Sequence, residues 1–235
     1  MPDQASARHR TKPVGRLGIL MLDTAFDRPL GDAGNPASWP FPVQIERVSG
    51  AFARSVVSGE FTAVDEFIAA GKRLIDSGVS AIMTTCGFLV RHQRELAAVL
   101  PVPVETSTLM HYLELQRDVG VGQRVAILTI DASAVDAGVR AAAGIEREAL
   151  VFSLARCAHF VSAILDAAVP LDLQRAEAEW VELAVSVQQR HPDIGTWLFE
   201  CANMPPYADA VRRATGLPVF DALTMGRNLH ARTWR

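Results

Sequence analysis

Thr196-Trp197-Leu198-Phe199-Glu200-Cys201-Ala202-Asn203-Met204-Pro205-Pro206-Tyr207 reads as a short apolar strand that stops at a cysteine. Small and polar residues follow, and a proline-led helix is predicted from Ala208 to Ala214. A thiol at that place sits beside the backbone N–H groups that open a helix, which favour negative charge and lower a cysteine's pKa. A lone cysteine of this kind is otherwise a buried small hydrophobe. What sets it apart is that the chain makes the element twice. Val79 to Thr85 is another apolar strand, and it delivers Cys86.

The repeat extends outward from the two cysteines. Arg16-Leu17-Gly18-Ile19-Leu20-Met21-Leu22-Asp23 matches Arg124-Val125-Ala126-Ile127-Leu128-Thr129-Ile130-Asp131 at Arg, Ile, Leu and Asp, with a constant offset of 108 positions from Arg16 to Arg124. Cys86 to Pro103 is 17 positions, as is Cys201 to Pro218, and each proline opens a Pro-Val strand. Shared strand pattern, strand-end cysteine and equal spacing point to an internal duplication.

Between these landmarks strands alternate with helices, which implies right-handed βαβ units and parallel sheets. Strands are predicted at Leu17–Leu22, Val43–Val48, Val79–Thr85 and Val102–Val104, and again at Arg124–Asp131, Ala149–Phe152, Gly195–Phe199 and Leu217–Phe220. Helices are predicted at Thr62–Ser77 with Thr62 as cap, Leu89–Leu100, Thr106–Val119, Asp172–Arg190 and Ala222–Arg232. Ala25 to Pro42 carries two glycines and four prolines and reads as a long loop, a length that is usually functional. The fold class is α/β, with two pseudo-symmetric halves, each a parallel sheet of about four strands, and a site in the cleft between them. The expected organisation is a disordered tail at 1–15, halves at 16–108 and 109–221, and a closing helix at 222–235 packing on the first half.

Composition bounds the function. The 235 residues are 49% hydrophobic and 21% charged, with a formal net charge of −3, which gives no electrostatic case for nucleic acid or an anionic membrane. No apolar run approaches the ~20 residues needed to span a bilayer. The basic, polar first fifteen residues lack the apolar segment of a secretory signal. Three cysteines, Cys86, Cys157 and Cys201, form no disulfide framework and point to reduced thiols and a cytoplasmic location. Six histidines show no metal-ligand spacing, and neither a dinucleotide fingerprint, a Walker-type lysine loop nor a Gly-x-Ser-x-Gly elbow is present.

In open parallel sheets ligands bind beyond the carboxyl ends of the strands, where both cysteines lie. Two thiols flanking one cleft suit removal of a proton from carbon and its return from the opposite face. Gly18-Ile19-Leu20-Met21-Leu22-Asp23, Thr84-Thr85-Cys86-Gly87 and Glu200-Cys201-Ala202-Asn203-Met204 resemble the aspartate/glutamate/hydantoin racemase superfamily over nearly the whole chain from Arg16 onward. The resemblance implies an interdomain site without pyridoxal phosphate, other cofactor or metal, with Cys86 and Cys201 as opposed acid and base. It carries over Asp23 as a residue that orients the first thiol, and the amides of Gly87 and Ala202 as donors to a substrate carboxylate. A homodimer is expected on the same ground.

Amino-acid racemases of that superfamily carry Asn-Thr after the first cysteine and Thr-His after the second, whereas this chain has Gly87-Phe88 and Ala202-Asn203. Phe88, with Trp39 and Phe41, suggests a more apolar pocket. Thr129, Ser133 and Asn35 are further candidates for substrate contact; Asp131 reads as a cap of the next helix. Glu200 reads as solvated or ion-paired, because neighbours in a strand point to opposite faces. The expected activity is a cofactor-independent racemase or isomerase acting on a small carboxylate, such as an amino acid or hydantoin. A maleate-type cis–trans isomerase with a covalent cysteine adduct and a non-catalytic small-molecule binder are the alternatives.

Overall fold

A computed structural model describes residues 15–156 and 158–233. The predicted tail before Gly15 and Cys157 lie outside the described residues.

The chain builds β1 (Arg16–Met21), β2 (Val43–Arg47), α1 (Ala53–Ser58), α2 (Val64–Asp76), β3 (Val79–Thr84), α3 (Gln93–Val99), β4 (Val104–Glu105) and α4 (Tyr112–Asp118). It then builds β5 (Arg124–Thr129), α5 (Ala137–Ala143), β6 (Leu150–Ser153), α6 (His159–Ile164), α7 (Leu173–Arg190), β7 (Ile194–Phe199), α8 (Ala208–Thr215), β8 (Val219–Phe220) and α9 (Ala222–Thr233). Two four-stranded sheets result, ordered β2-β1-β3-β4 and β6-β5-β7-β8, with every pairing parallel.

The duplication holds at the level of single bonds. The β1–β3 register shifts between Arg16 and Leu17, and the β5–β7 register between Arg124 and Val125. Ile82 N–H donates to Pro103 C=O at 2.9 Å, and Trp197 N–H to Pro218 C=O at 2.9 Å. Thr85 N–H reaches Leu20 C=O, and Glu200 N–H reaches Leu128 C=O, so the two cysteines that follow leave their sheets at matching heights.

Central strands β1, β3, β5 and β7 are buried along nearly their whole length, hence their continuous apolar runs. α2 presents Phe67, Ala70 and Leu74 to the core, and burying a large side chain of this kind contributes roughly 2 kcal/mol. Asp65 and Glu66 in its first turn and Arg73 in its last oppose the helix dipole. Gly78 beyond its end has φ 90°, where a side chain would be strained. On α7, Trp180, Ala184 and Val187 face inward, with Trp180 edge-on to Phe160 at 5.1 Å.

α9 returns to the first half, where Ala222, Leu223, Met225 and Leu229 pack with Leu17, Ile19, Ala81 and Met83. Trp39 and Phe41 join this layer. Trp39 lies against Gly226, and Phe41 stacks on His230 at 3.8 Å. Their aromatic rings therefore cover α9 and do not furnish a pocket as expected. Among the described residues, no helix is long and apolar enough to cross a membrane.

Local structure departs from expectation at the short elements. α1 and α6, of six residues each, have no counterpart among the expected elements, and the helix expected directly after Asp131 begins only at Ala137, as α5. The helix expected from Leu89 opens as a 3-10 turn over Gly87–His92 before α3, and that expected from Thr106 as a 3-10 turn over Thr108–His111 before α4. Thr62 does not cap α2, because its carbonyl accepts Val64 N–H in a turn and Ala63 holds the cap position.

Candidate active site

β3 and β7 end at Thr84 and Phe199, and each chain continues through one residue into a cysteine that starts a tight turn. Both thiols are nearly closed off from solvent, Cys86 at 6% exposure and Cys201 at 7%, and they line the same small cavity. The cavity straddles the pseudo-twofold relation between the halves. Leu22 and Ile130 lie at the 108 offset, as do Val57 and Leu165; Thr85 and Glu200, Cys86 and Cys201, and Phe88 and Asn203 are each separated by 115 positions. Its volume is about 30 Å³, room for one or two water molecules.

The two walls are matched in position but not in chemistry. Leu22 N–H donates to Thr85 Oγ1 at 3.2 Å; the equivalent Ile130 N–H donates to the Glu200 carboxylate. Thr129 Oγ1 donates to Glu200 Oε2 at 2.8 Å, and Gly87 N–H supplies a further bond. Glu200 is thus attached beside Cys201 while its carboxylate lies on the residue that follows Cys86. A Cβ at position 87 would come within 2.4 Å of Glu200 Oε1, so only glycine fits there. Glu200 is 3% exposed, and none of its hydrogen-bond partners is a cation. Burial pushes its carboxyl up to about 7 against the pull of those donors. The solvated or ion-paired position expected of Glu200 is therefore corrected.

Burial first, and the nearby Glu200 charge second, push both thiols above the ordinary range, opposite to the lowering expected from a helix start. Backbone N–H groups of Phe88 and Leu89 act on the Cys86 sulfur in the other direction. Cys201 is held differently. Its Sγ–H donates to Asn203 Oδ1 at 3.3 Å, and Asn203 Nδ2 donates to Asp32 Oδ2 at 2.7 Å. Asp32, fully buried, also accepts from Arg28 Nη1 at 2.9 Å and Gly34 N–H at 2.7 Å. The long loop thus exists to carry Arg28 and Asp32 to the second cysteine. Ala33 N–H bonds Ala202 C=O, and Gly31, at φ 97°, passes against Pro206.

Of the residues singled out from sequence, Cys86, Cys201, Phe88 and Asn203 line the cavity. Gly87 and Thr129 serve Glu200, and Ala202 packs behind its cysteine against the loop. Asn35 caps a turn through Ala37 N–H and donates to Arg28 C=O, holding the loop from outside. Asp23 accepts from Gly50 N–H at 3.0 Å and faces Arg47, and it is not among the residues lining the cavity. Ser133 bonds Asp131, which caps the short turn Ala132–Ala134 and not the next helix as expected; Asp136 caps α5. Ser133 and Asp131 lie in a neighbouring depression of about 320 Å³ that shares Val57, Ile130 and Leu165 with the thiol cavity. Arg54 on α1 and Asp166 just after α6 form an ion pair in that depression, bridging the two short helices. Sequence reasoning passed over Arg28, Asp32 and this pair. The one available signal was the abundance of turn formers in the loop.

No family model matches the chain. By sequence it is 30% identical over 214 residues to a dimethylsulfoniopropionate lyase of Durusdinium sp. clade D, covering 88% of this chain and 71% of that protein. It is 30% identical over 221 residues to dimethylsulfoniopropionate lyase 7 of Emiliania huxleyi (strain CCMP1516), covering 88% of this chain and 64% of that one. The chain thus spans about two thirds of the length of these curated relatives. Among solved structures, a point mutant of arylmalonate decarboxylase in a sulfate-associated form superposes with TM-score 0.64 at 18% identity, over 93% and 92% of the two chains. Allantoin racemase from Pseudomonas fluorescens gives 0.60 at 17% identity, over 92% and 89%. These likenesses establish the shared two-sheet fold.

Proposed function

The chain belongs to the dimethylsulfoniopropionate lyase family, on the fold of the aspartate/glutamate racemase superfamily, and from this we propose that it cleaves dimethylsulfoniopropionate or a closely similar 3-sulfoniopropionate by elimination. A base removes a proton from the carbon next to the carboxylate. The electron pair of that C–H bond becomes the new C=C bond, the β C–S bond breaks, and its pair leaves on sulfur. The products are acrylate and a neutral sulfide, with the proton on the base and later in solvent. One base is enough, and a neutral leaving group needs no acid. The observation that carries this reading is the sequence likeness across 88% of the chain.

The asymmetry of the site supports it. Elimination needs a base on one face only, and the two walls differ accordingly: Thr85 and Phe88 oppose Glu200 and Asn203. In this reading Cys86 serves as base, and the backbone N–H groups of Phe88 and Leu89 work against the rise that burial and Glu200 impose on it. Cys201, donating to Asn203, stays a neutral thiol on the opposite wall. A sulfonium brought beside Cys86 offsets the burial that opposes its ionisation. Because the cavity holds little more than water, α1 and α6 must part for substrate to enter.

Proton NMR in D2O tests the proposal. Elimination yields the methyl signal of dimethyl sulfide and the vinyl signals of acrylate in equal amounts. Two thiols at duplicated positions also favour a second reading, an isomerase at an acidic carbon. That reading predicts α-deuterium exchange into a carboxylate or hydantoin with no cleavage of the sulfonium. An intact sulfonium after prolonged incubation overturns the lyase reading.

A further inference from the structure

Glu200 is a buried carboxylate that the elimination itself does not use. It lies in the cavity wall beside both thiols, and among the described residues its oxygens accept from Thr129 Oγ1 and the amides of Ile130 and Gly87. Among the described residues lining the cavity there is no Lys, Arg or His. A buried anion without a cation is costly, and dipoles alone offset only part of that cost. Its counterpart in the first half, Thr85, carries no charge, so the site holds one anionic group on one wall. The lining otherwise holds the uncharged amide of Asn203 and the two thiols, and the remainder is apolar, chiefly Leu22, Val57, Phe88, Ile130, Ile164 and Leu165. A single anion in an apolar, partly aromatic chamber matches an onium group, whose charge is spread over methyl groups and attracted by an aromatic face. It does not match an amino diacid, which adds negative charge.

We propose that Glu200 is the counter-ion that recognises the substrate's cationic sulfonium and excludes uncharged molecules of the same shape. The identity of the onium as a 3-sulfoniopropionate rests on the lyase reading; the preference for a cation does not. Gly87 belongs to the same device, because the absence of a side chain there lets the carboxylate reach across from the Cys201 side to the Cys86 side. A bound cation also favours the ionised carboxylate that burial disfavours, so recognition and charge reinforce each other.

Calorimetry with two non-reacting probes tests this. One is 3-(trimethylammonio)propionate, which keeps the cation; the other is 4-methylpentanoate, which keeps the branched shape and carboxylate without it. The wild type binds the cationic probe at least ~10-fold more tightly, and Glu200→Gln brings the two within about threefold of each other. Equal affinities in the wild type overturn the proposal, even if the variant fails to fold. So does a preference that survives in Glu200→Gln. Cation preference without release of sulfide from dimethylsulfoniopropionate sinks the lyase reading alone; sulfide release without cation preference sinks this one alone.

Discussion

Glu200 changes charge within the range where enzymes work, because burial holds its carboxyl near 7. As a raised acid it favours folding fully below its unfolded value of about 4.5, and this contribution is lost as pH rises through about 7. Glu200→Gln therefore gains stability relative to wild type on going from pH 4.5 to pH 8, on the order of 3 kcal/mol, readable by urea unfolding at the two pH values. Gly87→Ala forces the carboxylate off its seat and lowers kcat/KM by tenfold or more, with the larger share in KM if Glu200 binds the cation. Both cysteines were legible in the sequence because each ends an apolar run and the run occurs twice. Glu200 was not. Alternation of faces holds only inside a strand, and β7 stops at Phe199, so the rule placed its neighbour wrongly.

The loop between β1 and β2 acts as a strut. Removing Asp32 leaves Arg28 without its buried partner and Asn203 without its acceptor. Asp32→Ala is expected to lose about 3–5 kcal/mol of stability in denaturant titration, and to free Cys201 so that it alkylates faster relative to Cys86 in the surviving folded protein. If substrate enters as proposed, short helices α1 and α6 part to admit it. Arg54→Ala removes the ion pair that joins them, and both thiols are then expected to label several-fold faster with iodoacetamide, with folding stability changed by less than ~1 kcal/mol. The loop's importance was visible in its length, but its mechanism was not. A contact between Asp32 and Asn203 spans 171 positions and leaves no periodic trace. Six-residue helices such as α1, capped by Phe52 without a side-chain bond, are too brief for apolar spacing to reveal them.

Duplication governs the molecule as a whole, and it was legible because two buried parallel sheets demand the same apolar runs at the same spacing. What breaks the symmetry is only partly visible in the sequence: Gly87-Phe88 against Ala202-Asn203 stands out, whereas Thr85 against Glu200 acquires meaning only once the carboxylate is seen to be buried. α9 ties the end of the chain to the first half through its apolar face and through Arg232, which pairs with Glu105. Glu105 also meets His111 Nε2 at 3.2 Å. Although burial opposes it, bonding to Glu105 and Glu114 raises the His111 value. Its contribution is therefore complete below the unfolded value near 6.5 and fades as pH rises through the elevated one. His111→Gln accordingly costs more stability at pH 6 than at pH 9 in urea unfolding.

The most direct test of the central claim is headspace measurement of dimethyl sulfide released from dimethylsulfoniopropionate by wild type, Cys86→Ser and Cys201→Ser. The account predicts release by the wild type with matching acrylate, at least ~100-fold slower release by Cys86→Ser, and a smaller loss with Cys201→Ser. No release by the wild type, or release by Cys86→Ser at the wild-type rate, would contradict it.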